Sequence, residues 1–237
     1  MLFQQKMLND LNVVRPIISH PYLLERQEIV ENQPSVQDLQ ERWPALFQQE
    51  EINAEYFRIT TLPLQSRFMA SLDRQSSQLL QVIRSKGGAL REKTKDTIKV
   101  MDQSLDIDIR RECLLKCLIT YLGEDTSCLI KEYQADQREE AEREFEKTTM
   151  AFFVIRETDA LSRALDISIV IDGVEVLNEL PSVACACAMM FGLIYALNLK
   201  YPEGLKYTFE AFQKIIMDIE SKQMSQRVQN LSSKLQE

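Results

Sequence analysis

Five cysteines and one histidine carry the sharpest chemistry in this chain of 237 residues. Cys113 and Cys117 stand four apart, so a helix would set both thiols on one face. A tetrahedral zinc site needs two more donors, from Cys128 or from Cys185 and Cys187. The last two alternate in an apolar stretch and would leave a helix on different sides. Cys117, Cys185 and Cys187 sit among apolar residues, which favours reduced, buried thiols over a metal site or a disulfide framework. His20 lies between Ser19 and Pro21 with no serine elbow or cysteine nearby, so a surface loop outweighs catalysis. A single histidine excludes multi-histidine metal sites, and the six glycines form neither GxxxxGK nor GxGxxG. No catalytic, cofactor-binding or metal-binding set emerges.

Charged residues offer a second chemistry. Asp106 and Asp108 fall where a helix should begin, and Glu124 and Asp125 follow a helix-ending glycine, so both pairs read as caps or turns ahead of acid–base groups. The net charge of −8 argues against a dedicated nucleic-acid binder. It is unevenly spread. Residues 124–146 carry a local −6, while Arg84, Lys86, Arg91, Lys93, Lys95 and Lys99 face only Glu92 and Asp96 for a local +4. The basic cluster could grip phosphates or pair with the acidic block, within a chain or between chains. Aromatic interleaving of the kind that stacks single-stranded bases is absent from it, and a solvated or internally paired surface ranks first.

Two apolar groups complete the candidates. Trp43-Pro44-Ala45-Leu46-Phe47 places three large apolar side chains at a proline bend, which suits a buried corner better than a partner-binding spot. Met224, Val228, Leu231 and Leu235 run at heptad spacing among Ser, Gln, Lys and Arg. That amphipathic stripe either packs on its own domain or associates with a protein partner or a second copy. Being shorter than two heptads, it cannot sustain a coiled coil alone.

The elements that position these residues follow from apolar spacing and its breaks. Prolines at 16, 21 and 34 leave room for a short helix over Tyr22 to Val30. Ser35 with Asp38 caps a helix through Trp43, and another covers Glu50–Ile59. Leu64, Phe68, Leu72, Leu79 and Ile83 line one face of a longer helix that Gly87-Gly88 should stop. Helices over Ala89–Ser104 and from Asp106 to Gly123 come next. Residues 124–147 read as an acidic helix or linker. Beyond it, Ile167, Ile169 and Ile171 alternate up to Asp172-Gly173, followed by Val174 and Val176, the pattern of a hairpin. Met150–Ile155 supplies a third antiparallel strand, and Pro181–Leu199, apolar nearly all round, covers the sheet. Leu205, Phe209, Phe212, Ile216 and Ile219 mark the next helix, and a one-residue slip near Ser221–Gln223 marks a bend or a new element.

Several blocks resemble a known family. They are Gln27-Glu28-Ile29-Val30-Glu31-Asn32-Gln33-Pro34, Glu41-Arg42-Trp43-Pro44-Ala45-Leu46-Phe47, Ala54-Glu55-Tyr56-Phe57-Arg58-Ile59-Thr60, and Phe191-Gly192-Leu193-Ile194-Tyr195-Ala196-Leu197-Asn198-Leu199 with Tyr201-Pro202. Together they are similar to the long C-terminal region of fish sterile alpha motif domain-containing protein 3-like proteins, from about Glu28 to the end. Such proteins often carry a sterile alpha motif domain upstream, so this chain, with no room for one, is expected to be either a fragment or a member without that domain. The resemblance implies one architectural unit spanning both halves and transfers no catalytic residue.

The fold expected is α+β and predominantly helical. A helical portion over 1–123 and an acidic segment over 124–147 precede a sheet-plus-helix portion over 148–237, packed with the first as one unit. No leader is evident at Met1, and the longest uncharged apolar run, Val183 to Leu197, has fifteen residues where a membrane span needs about 20. Cytosol or nucleus is the expected location. The function expected is a non-enzymatic protein-interaction or self-assembly module. An enzyme using carboxylates or a cysteine, and a nucleic-acid binder acting through residues 84–99, are the alternatives.

Overall fold

Each break in the apolar spacing becomes a chain turn, and most of the expected helices lie between them. The computed structural model describes residues 21–157, 163–220 and 222–236, with side chains from Arg26 onward. His20 lies outside the described residues. The chain divides into two units, residues 1–34 and 35–237. In the first, α1 (Pro21–Asn32) starts on a proline, whose missing N–H costs nothing in the opening turn. It overruns the expected Tyr22–Val30 at both ends.

In the second unit, Ser35 caps α2 (Val36–Arg42) by accepting the Asp38 N–H at 3.1 Å. A 3-10 turn over Pro44–Phe47 buries Leu46 and Phe47 and leaves Trp43 half-buried, so this segment is a corner anchor. Then come α3 (Gln49–Thr60), α4 (Leu64–Ser85), α5 (Ala89–Gln103) and α6 (Ile107–Tyr121). All five residues of the expected α4 stripe are buried. The Gly87-Gly88 pair does not cap α4 as expected. That helix ends one residue before Lys86, whose φ of −87° is extended, and Gly88 at φ 67° opens α5 instead.

The sheet has four strands, in the order β1 (Ile130–Gln134), β2 (Met150–Arg156), β3 (Asp166–Ile171), β4 (Val174–Leu177). β2, β3 and β4 form the expected antiparallel set, with Phe152 opposite Ile169 and a register shift between Ile169 and Val170. Asp172 and Gly173 both take positive φ, 50° and 82°, as a two-residue hairpin requires. The expectation of a purely antiparallel, three-stranded sheet is corrected by β1, which pairs parallel to β2 with Ile130 opposite Phe152. This strand falls in the acidic segment read as helix or linker. A crossover helix, α7 (Arg138–Phe145), makes the parallel return, because parallel neighbours cannot be joined by a tight turn.

β2 is buried throughout because both faces of the sheet are covered. On one face, Ala141 of α7 packs with Ala151, Phe153, Ile155 and Val170, joined by Tyr133 and Phe145. On the other lies α8 (Val183–Ala196), started by Ser182 and buried at every position but Tyr195. α8 touches β2 and β3 on one side and α3, α4 and α6 on the other, so it is the layer between sheet and helices. Gly192 lets α3 and α4 come close: a Cβ there would stand 2.4 Å from Leu64 Cδ2 and 2.7 Å from Ile52 Cγ2. The chain continues as α9 (Lys206–Ala211), which widens into a π turn over Phe212–Ile216. The slip in spacing beyond Ile219 marks a new element, α10 (Gln226–Lys234), capped by Ser225.

Candidate interaction surface

The C-terminal stripe is largely consumed by its own chain. Val228 and Leu231 are fully buried where α10 meets α9, and only Met224 and Leu235, which flank the helix, are partly exposed. Polar contacts fix that docking. Arg227 donates to the Leu122 carbonyl at 2.9 Å and lies 4.5 Å over the Tyr207 ring, while the Ser225 N–H reaches Glu210 at 2.7 Å. The two central apolar positions that a partner would need are therefore already covered.

The basic cluster is divided in the same way. Arg84 donates to both carboxylate oxygens of Asp102, Lys95 pairs with Glu92 at 2.9 Å, and Lys86 sits 4.5 Å over the Tyr121 ring. Among the described residues, Arg91, Lys93 and Lys99 have no ion-pair partner and stand exposed on α5. Much of the acidic segment is internal too. Glu124 accepts from the Tyr207 and Thr208 N–H groups at 2.8 Å and caps α9 from 83 residues away, and Asp125 caps the 3-10 turn at Thr126–Cys128. Among the described residues no ion pair joins the 84–99 cluster to the 124–146 block.

Cys113, Cys117, Cys185 and Cys187 are buried, and all five cysteines are free. Burial, reinforced by neighbouring Glu112, pushes the Cys113 thiol up to about 11, and burial with Cys113 alongside pushes Cys117 to about 12. Burial also lifts Cys185 to about 11 and raises Cys187. Thiols held protonated in this way are neither nucleophiles nor ready metal ligands. Among the described residues no group of three His, Cys, Asp or Glu is placed to hold a metal ion. Nor, among them, is any helix long and apolar enough to cross a membrane.

Asp106 is the N-cap of α6, accepting the Asp108 N–H at 2.8 Å, and Asp108 pairs with Arg111 at 3.1 Å. The cap position next to them exposes what the sequence reading passed over. Leu105, in the turn before Asp106, is 100% exposed, and Ile107 is 50% exposed. An apolar residue just before a helix cap ordinarily packs on the fourth helical position, which here is Arg110 and offers no apolar seat. That mismatch was the available signal.

Ile107, two positions beyond Leu105, lines a cleft of about 300 Å³ between α4, α5 and α6, together with Asp73, Leu80, Met101, Arg110 and Leu114 among others. Its floor is apolar, since Met101 and Leu114 are buried. Its charged lining includes one held pair, Arg111 donating to both Asp73 oxygens at 2.9 and 2.6 Å. Arg110 differs: it donates to the Met101 and Ser104 carbonyls at 2.9 and 3.4 Å and, among the described residues, has no carboxylate partner.

Residues 3–48 match the family model described as the helical domain of sterile alpha motif domain-containing protein 3. The match agrees with the resemblance carried by the Gln27–Pro34 and Glu41–Phe47 blocks, and it stops short of the cleft. No curated protein and no solved structure matches the chain.

Proposed function

We propose that the chain is a protein-interaction module whose contact surface is the corner where α4, α5 and α6 enclose the cleft. The observation that carries this reading is the wholly exposed Leu105 two positions before half-exposed Ile107, which lines an apolar-floored cleft holding the Arg111–Asp73 pair. An isolated exposed leucine needs no explanation, but one adjoining Ile107 and a cleft forms a patch that water solvates poorly and a protein surface covers well. Arginines already held by aspartates lose little side-chain freedom on binding, which lowers the cost of association. Five free cysteines, four of them buried, fit work in a reducing compartment, the cytosol or nucleus.

The test is a photo-crosslinking amino acid placed at position 105 of the full chain, with the exposed Lys234 position as control, irradiated in the cells that make the protein. Adducts to polypeptide at 105 that are absent at 234 are the expected result. Equal labelling at the two positions, or none at 105, would overturn the reading.

A further inference from the structure

We infer that the partner of this corner is a segment of another protein in which an acidic side chain stands close to a large apolar one, the carboxylate meeting Arg110 and the apolar group the cleft floor. The inference rests on the interaction reading above and names the chemistry of its partner.

The charge that selects the partner belongs to residues lining the cleft. Asp73, Arg110 and Arg111 are the charged members of that lining, and Asp73 and Arg111 neutralise each other. Arg110 leaves the lining with one positive charge. A site of that sign over an apolar floor favours a partner that brings a single negative charge next to apolar surface.

The guanidinium of Arg110 is also held in advance. Its Nη1 donates to the Met101 and Ser104 carbonyls, at 2.9 and 3.4 Å, where α5 ends. Those bonds orient the group without using Nε or Nη2. The same Nε and Nη2 edge is the one by which Arg111 grips both oxygens of Asp73. On Arg110 it meets no acceptor among the described residues. A planar fork fixed in this way matches a carboxylate and loses little freedom on binding one. Neighbouring carboxylates on the chain are committed elsewhere, Asp106 to Arg163 at 2.8 Å and Asp108 to Arg111 at 3.1 Å. The carboxylate that completes Arg110 therefore arrives with the partner.

Size sets the apolar part. A volume of about 300 Å³ is the lower end of the range for pockets that take small ligands, and suits one large side chain over Leu80, Met101 and Leu114. A small amphiphilic acid of that size would fill the cleft and leave Leu105 wholly exposed and Ile107 half-exposed. A polypeptide that continues past its anchor can cover them, which favours a protein segment.

Peptide selection on the full chain is the test. Random linear peptides displayed on phage are selected on the wild type after depletion on Ser77→Trp, which fills the recess from an exposed position on α4. Enriched sequences should place an Asp or Glu close to a Leu, Met or Phe. A labelled peptide of that kind should bind Arg110→Met about tenfold or more weakly than the wild type, the loss expected for a hydrogen bond to a charged group. Arg110→Lys should fall between them, since it keeps the charge and lacks the fork. Changing the peptide's acid to its amide should cost about as much on the wild type and almost nothing further on Arg110→Met. That coupling separates a direct contact from any loss of stability in the variant. A selection that yields no peptide, peptides without an acid, or losses that add independently overturns the proposal. So do adducts from position 105 that join two copies of this chain, since the occupant would then be a second copy. Adducts to a foreign protein at position 105, alongside a selection with no acidic preference, would leave the module reading standing and remove the acidic partner alone.

Discussion

Arg156, at the end of β2, is held at the seam between the sheet and α6 by two carboxylates from different elements. Its Nη2 donates to both oxygens of Glu112 at 2.6 and 2.7 Å, and its Nε reaches Glu132 at 3.3 Å, while Lys116 bridges the same two glutamates at 2.8 and 2.9 Å. Burial pushes the Glu132 carboxyl up, but Lys116 and Arg156 together outweigh it and hold it below its ordinary value of 4.5. A carboxyl lowered in the folded state adds stability that is complete above that ordinary value and is lost as pH falls through the folded one. Urea midpoints taken from pH 7 down to pH 3 should therefore drop below about pH 4.5, and more gently in Glu132→Gln, which has no proton to take up there. Parallel acid limbs in the two proteins would show that the cluster is not linked to folding in this way. Spacing along the chain brought out Asp106, Asp108, Glu124 and Asp125, because a cap is a local event. It could not bring out Glu112 and Arg156, which lie 44 positions apart and meet only through the sheet.

Elements divide along the same line. α4 and α8 announce themselves through apolar residues that repeat or run unbroken, and the hairpin through Asp172-Gly173. β1 does not, because Ile-Lys-Glu-Tyr-Gln carries two charges in five residues and looks like solvated chain. Its charges are met from outside the strand, Lys131 by Glu144 of α7 at 2.5 Å and Glu132 by Lys116 of α6, which is how an edge strand can be both charged and paired. Glu124 likewise reads as a turn residue along the chain, and in the fold it caps α9. Within α8, Gly192 has a measurable consequence. Gly192→Ala puts a methyl into contact with Leu64 and Ile52 at once, and both are buried to within 1% on two different helices. Neither can yield without disturbing its own packing, so the variant should lose about 1–3 kcal/mol in chemical denaturation. Neutral or raised stability would mean that α3 and α4 separate from α8 without cost. The expected direction runs against the helix propensity of alanine, which alone would favour the variant by about 1 kcal/mol.

For the molecule as a whole, α8 makes the helices and the sheet share one apolar layer, and its contacts decide whether unit 35–237 opens in parts. Cys185 and Cys187 lie in α8 and Cys113 and Cys117 in α6, all buried, whereas Cys128 in the turn before β1 is exposed. A thiol reagent at mildly alkaline pH therefore has one open target. The buried groups are shielded twice, by lack of access and, at Cys113, Cys117 and Cys185, by thiol pKa values pushed up to between about 11 and about 12, so only opening of the fold releases them. If α6 and α8 are lost together, the four slow thiols react with one rate constant, at least about a thousandfold below that of Cys128 for a fold of ordinary stability. Stopped-flow labelling of the native chain reads both phases directly. Two slow phases, with the α6 pair separating from the α8 pair, would show that the helical layer can part from α8 while the rest holds. A single phase would mean that the corner carrying Leu105, built on α4, α5 and α6, opens no more easily than the core beneath it. The cleft would then be a standing feature of the surface, ready before any partner arrives.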